Sequence, residues 1–163
     1  MEYGYLAGIN YESAADGTGV RTAIFLSGCT HRCPGCHNPE THDPRFGIHI
    51  TDEIIRQIAE EIKARPYLAG ITLTGGDPLC FPQYTLNFLS YLKRCLGYLP
   101  NIWMYTGYTM ADIDRMGTSE FKRYADILIN LCDVVVDGPF VRDLADKRLA
   151  FRGSSNQNII YVR

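Results

Sequence analysis

The chain has 163 residues, 16 of them basic and 18 acidic, for a formal net charge of -2, a length that suits one domain with a real core and not two ordinary ones. With no basic block there is no electrostatic footprint for nucleic acid, and no apolar run reaches the ~20 residues of a membrane span. Met1 to Tyr5 lacks the basic start and apolar run of a secretory signal, so the six cysteines are expected in the reducing cytoplasm, as thiols or metal ligands and not as a disulfide framework.

Met1 to Asp16 is rich in Gly and Tyr and shows no clear periodicity. Thr22 to Leu26 is a short apolar run, read as a buried first strand. A cysteine-rich loop follows, and then a connection through Pro39, Pro44 and Gly47. Thr51 is placed to cap a helix whose first turn carries Asp52 and Glu53. Ile54, Ile55, Ile58, Ala59 and Ile62 recur at helical spacing, and Pro66 ends the segment. Gly70 to Thr74 reads as a second strand and Gln83 to Leu96 as a helix with Gly97 just beyond its end. Ile102 to Tyr105 is a third strand, and Thr109 to Arg115 and Ser119 to Tyr124 are short helices parted by Gly117. Asp133 to Asp137 is a fourth strand and Ile159 to Val162 a possible last one. Strands alternating with helices call for parallel pairing through crossovers, and so for an α/β fold spanning residues 1–163 as a single domain.

The cysteine loop, Ser27 to Asn38, holds Cys29, Cys33 and Cys36 in a C-x3-C-x2-C array. Thiolates this close, on a loop loosened by Gly28 and Gly35 and bent by Pro34, suit one soft metal centre. Three cysteines on a cubane cluster leave one iron open to bind another molecule, the logic that separates catalytic from structural metal sites. The alternative is a zinc site completed by His31 or His37. Cys80, Cys95 and Cys132 are scattered and read as buried or incidental thiols, and His42 and His49 as surface residues.

If the strands are parallel, their C-terminal ends form one rim, where functional groups collect. The first strand ends in the cysteine loop, the second in Gly75-Gly76-Asp77-Pro78, the third in Thr106-Gly107-Tyr108, and the fourth in Asp137-Gly138-Pro139. Asp77 and Asp137 offer acceptors there for a cation or an ammonium group.

The cysteine array followed by Gly75-Gly76-Asp77-Pro78 resembles the radical S-adenosylmethionine enzymes. Cys33-Pro34-Gly35-Cys36, Trp103 to Tyr108, Val136 to Phe140 and Arg152 to Gln157 add a resemblance to one branch, the activators of anaerobic ribonucleoside-triphosphate reductase. The resemblance implies an incomplete (β/α) barrel of about five or six parallel strands, with a 4Fe–4S cluster on Cys29, Cys33 and Cys36. It further implies S-adenosylmethionine on the open iron, with Gly75, Gly76 and Asp77 along its methionine amino group. Gly35, Cys36 and His37 would run beside the adenine, and Asp137 would lie near the ribose and carboxylate. No side chain is implied as general acid or base. The implied partners are the large reductase subunit, on which a glycyl radical is formed, and a one-electron donor such as flavodoxin. Arg152 to Gln157 is then either a turn or part of the face on which the reductase docks. A radical enzyme acting on another glycyl-radical enzyme or on a small molecule, and a zinc-binding interaction module, remain alternatives.

Overall fold

The alternation of apolar runs and helical patterns becomes, in the computed structural model of residues 1–163, one open sheet with its helices packed on one face. The elements are β1 (Tyr5–Ser13), β2 (Arg21–Leu26), β3 (Ile48–His49), α1 (Asp52–Lys63), β4 (Gly70–Gly75), α2 (Pro82–Leu96), β5 (Ile102–Tyr105), α3 (Met110–Asp114), α4 (Glu120–Leu131), β6 (Val134–Asp137) and β7 (Asn158–Tyr161). The strand order is β3-β1-β2-β4-β5-β6-β7. Strands β2, β4, β5 and β6 are parallel neighbours, whereas β1, β3 and β7 pair antiparallel.

Five or six parallel strands were expected, and four are present in a sheet that does not close. The cause lies in the connections. A parallel pair needs a long crossover, usually a helix, whereas β1 reaches β2 through the short Ala14 to Val20 loop and can only fold back on it. Strand β7 likewise follows β6 without an α-helix between them. Strand β1 escaped the sequence pattern because register irregularities at Leu6/Gly8 and Asn10/Ser13 break its alternation.

Three of the four α-helices begin on a side-chain cap, and α2 begins on Pro82 without one. Thr51 accepts from the Ile54 amide, Ser119 from Lys122, and Thr109 forms a reciprocal capping box with Asp112. Gly97 ends α2 with φ +85°, a left-handed conformation that disfavours side chains with a Cβ. Helix α4 runs to Leu131, past the expected end at Tyr124, because Ala125 and Leu128 extend its buried face.

Alternation in β5 sends Ile102 and Met104 into the main core with Leu89, Leu92 and Leu128 from the helices, while Trp103 packs with Val134 and Val136 on the other face. There the C-terminal segment returns, with Phe151 edge-on to Trp103 at 5.3 Å. At the N-terminal end of the parallel strands Arg21 is fully buried. It donates to Thr72 Oγ1, the Ile71 carbonyl and Asn101 Oδ1, and lies over the Trp103 ring. Burial lowers its pKa to about 10. That end is locked, and the opposite rim is free to carry a site. No helix is long and apolar enough to cross a membrane.

Candidate metal and cofactor site

The parallel strands bring four loops to one rim, and a cavity of about 210 Å³ opens between them. Cys29, Cys33 and Cys36 line it from the cysteine loop, Gly75 and Gly76 from the end of β4, Thr106 and Gly107 from the end of β5, and Gly138 and Phe140 from beyond β6. Where the wall is Gly75, Gly76, Gly107 and Gly138, a ligand can approach the backbone closely. A larger cavity of about 390 Å³ lies nearby against Tyr3, Tyr5, Phe81 and Tyr84, but no cysteine enters its wall.

Local turns shape the cysteine loop. The Cys36 amide donates to the Cys33 carbonyl at 3.0 Å, and Gly35 takes φ +78° between them. The Gly28 amide donates to the Thr41 carbonyl at 2.7 Å and closes the base of the loop. All three cysteines are free and partly exposed. They face one cavity without forming a ready-made ligand triad. Burial raises the Cys29 pKa, while the amides of His31 and Arg32 oppose it. Amide hydrogens directed at a sulfur favour the thiolate that a cluster needs. Three soft thiols at one glycine-walled opening fit an iron–sulfur group with a fourth position left free.

Gly76 explains how closely the strand ends meet. Its amide donates to the Leu26 carbonyl at 2.7 Å, and a Cβ there would lie 2.5 Å from the Gly28 carbonyl oxygen. The backbone of β4 is thus pressed against the start of the cysteine loop.

Asp77 is placed otherwise than its charge alone suggested. Its side chain is buried, Oδ1 accepting from the Leu79 amide and Oδ2 from His31 Nε2, Thr106 Oγ1 and the Gly107 amide. Asp137 is also engaged, with Oδ2 accepting from the Met110 amide and Oδ1 from Asn158 Nδ2. Both carboxylates thus join elements of the fold.

Of the remaining expected residues, His37 lines the cavity and packs on Phe140 with ring centroids 5.7 Å apart. Gly35 instead faces the Arg142 guanidinium. His42, read as a surface residue, lines the cavity, and its Nε2 is buried without a partner. The cause is the short 3₁₀ turn Pro39–His42, which folds the chain back toward the loop. Its signal was Asn38-Pro39, a turn-forming pair. Tyr105 lines the cavity too; burial, with Asp16 adding, pushes its phenol well above the ordinary value, so it stays neutral. Arg152 to Gln157 forms the far wall through Gly153 and Gln157. Gln157 Oε1 accepts from the Gly153 and Ser154 amides and its Nε2 donates to the Gly138 carbonyl.

The description "4Fe-4S single cluster domain" belongs to a family model that matches residues 15–160. The chain is 38% identical over 151 residues to the anaerobic ribonucleoside-triphosphate reductase-activating protein of Salmonella typhi, covering 91% of this chain and 92% of that protein. It is 37% identical to the protein of the same name from Escherichia coli K12, with the same coverage. Against that of Enterobacteria phage T4 it is 34% identical over 88% of this chain and 85% of the other.

Proposed function

Because the chain belongs to the 4Fe-4S single cluster domain family and to the anaerobic ribonucleoside-triphosphate reductase-activating proteins, we propose that Cys29, Cys33 and Cys36 hold its cluster and that the 210 Å³ cavity beside them receives S-adenosylmethionine. It is an iron–sulfur enzyme that activates the anaerobic reductase. When bound, the cluster supplies the electron that cleaves S-adenosylmethionine to methionine and a deoxyadenosyl radical, which takes hydrogen from a reductase glycine.

The chain's own residues bind, orient and shield. Gly75 and Gly76 offer backbone carbonyls to the methionine ammonium, with Asp77 fixing their position from behind. Cys36 and His37 run along the adenine, and Gly35 gives the loop its turn. Asp137 sets the course of Gly138 to Phe140, which borders the ribose and carboxylate. Tyr105 and Phe140 help to keep water away from the reacting atoms.

The four parallel strands act as part of an incomplete barrel of radical S-adenosylmethionine type, and residues 1–163 work as one unit in the cytoplasm. A low-potential one-electron donor such as flavodoxin reduces the cluster, and neither nucleic acid nor membrane takes part.

The observation that carries this reading is the convergence of all three motif cysteines with the Gly75-Gly76 backbone on one cavity. The test is anaerobic incubation of reconstituted protein, reductant and S-adenosylmethionine with the large reductase subunit, followed by spin-resonance detection of a glycyl radical. A radical that requires both the protein and S-adenosylmethionine is expected. Iron-free protein of full activity, or a zinc content that accounts for the thiols, would overturn it.

A further inference from the structure

His31 lies between the first two cysteines of the loop, yet its side chain turns inward and is only 17% exposed. Nε2 is 2.7 Å from Asp77 Oδ2, where the imidazole N–H donates to the carboxylate. Tyr108 sits edge-on to the imidazole with centroids 4.5 Å apart. Gly107 touches it so closely that a Cβ would fall 2.5 Å from His31 Cδ2. The ring is held on three sides by residues of the β4 and β5 ends.

Thr30 also reaches the Tyr108 hydroxyl and, through its amide, the Cys80 sulfur, but the His31 bond is the one that ties the loop to a buried carboxylate. Further along, Gly35 on Arg142 and His37 on Phe140 are packing contacts with the C-terminal segment. Asp77 is well chosen as the receiving group. Its amide donates to the Gly28 carbonyl at 2.8 Å, and its carboxylate holds Thr106 and Gly107. One buried residue, next in the chain to Gly75-Gly76, therefore joins His31 of the cysteine loop to the end of β5 through its carboxylate and holds Gly28 through its amide. A hydrogen bond to a buried ionised group is among the stronger ones a protein makes.

We propose that His31 is a positioning residue: by donating to Asp77 it fixes the cysteine loop against the ends of β4 and β5, and so sets where the cluster stands relative to the Gly75-Gly76 backbone. The inference rests on the assignment of Cys29, Cys33 and Cys36 as cluster ligands. It deepens that assignment by giving the loop's geometry a cause outside the cysteines.

The test compares His31→Phe, which keeps an aromatic ring between Gly107 and Tyr108 but cannot donate, with His31→Gln, which keeps a donor. Asp77→Asn and the His31→Phe/Asp77→Asn double variant complete the cycle. Three quantities are read: the urea midpoint of the apo protein, the rate of iron release to a ferrous chelator after anaerobic reconstitution, and the change S-adenosylmethionine causes in the spectrum of the reduced cluster. Iron release should quicken roughly tenfold or more in His31→Phe, the factor expected from one charge-assisted hydrogen bond. It should quicken no further in the double variant, and His31→Gln should return within about threefold of wild type. The apo midpoint should fall in His31→Phe and recover in His31→Gln, and the spectral change should weaken in His31→Phe by more than that fall accounts for. Unchanged iron release and spectrum in His31→Phe, additive effects in the double variant, or no rescue by Gln would overturn the proposal. So would a fall in the apo midpoint that alone accounts for the faster release. If iron binding survives replacement of Cys29, Cys33 and Cys36 by Ala, the cluster assignment fails and the proposal falls with it; if only the His31 series is silent, the assignment stands.

Discussion

Asp137 and Asn158 face each other across β6 and β7, and the Asn158 side-chain amide donates to Asp137 Oδ1 at 3.0 Å. The other carboxylate oxygen accepts from the Met110 amide at the start of α3, also at 3.0 Å. A buried acid at a strand end thus joins the edge strand to the helix layer. Asp137→Ala is expected to cost about 1 to 3 kcal/mol of stability, because it leaves the half-buried Met110 amide without its acceptor while the exposed Asn158 side chain turns to water. Denaturant midpoints of the apo protein measure this. S-adenosylmethionine affinity should fall only in step with the loss of stability, as the Gly138 to Phe140 segment loosens; a large loss of affinity at unchanged stability would instead place the carboxylate itself on the cofactor.

Gly76→Ala tests the contact between β4 and the cysteine loop. The added Cβ meets the Gly28 carbonyl oxygen at 2.5 Å and its carbon at 2.9 Å, and these are backbone atoms that cannot swing aside. Cys29 follows immediately, so iron content after reconstitution should fall along with S-adenosylmethionine affinity. Gly97→Ala is the control. Nothing lies within 4 Å of that position, and only its φ of +85° opposes a side chain, so it should lose about 1 kcal/mol of stability and no iron.

Much of this was legible before any coordinates. Thr51, Gly97 and the apolar spacing of α1 report local chemistry, and local chemistry is what sequence patterns record. The three cysteines, Gly75-Gly76 and Gly138 reached one rim because parallel strands put their C-terminal ends together. The engagement of Asp77 with His31 was not legible, since it depends on the distance between loops 46 residues apart in the chain. Exposed acids and buried acceptors look alike in sequence. His42 was missed for a similar reason: a single 3₁₀ turn decides whether it meets solvent or the cavity. Strand β1 lacked alternation, and its antiparallel pairing followed only from the shortness of its connection to β2.

The six cysteines should separate by two measurements. Ala replacement of Cys29, Cys33 or Cys36 should abolish normal cluster content, whereas replacement of Cys80, Cys95 or Cys132 should leave iron and sulfide near wild type. Alkylation of the apo protein adds a pH dependence. Burial pushes Cys80 up to about 11 and Cys132 up to about 12, so both are almost wholly thiol at pH 8. Since only the thiolate reacts, their iodoacetamide rates should be roughly a hundredfold or more below those of the unfolded chain. The rates should climb about tenfold per pH unit until those values are reached. Fast labelling of Cys80 at pH 8 in folded protein would show that its thiol is not desolvated.

The last prediction concerns what completes the site. The sheet stays open, with β3 at one edge and β7 at the other, and on the side of the cavity facing the cysteine loop the wall includes the thin backbone of Gly75, Gly76, Gly107 and Gly138 and the returning Gly153 to Gln157 segment. A radical formed in so incomplete an enclosure meets solvent or the protein unless another surface covers it. A glycine-bearing loop of the reductase, laid across the rim, supplies both the missing wall and the hydrogen. Reduced protein with S-adenosylmethionine should therefore form 5′-deoxyadenosine productively only when the large reductase subunit is present. With that subunit deuterated at the Cα of its radical-site glycine, mass spectrometry should find deuterium in the deoxyadenosine. A glycyl radical formed without such transfer would exclude direct abstraction, and equal turnover on a small molecule without the reductase would show that the enclosure is complete without it.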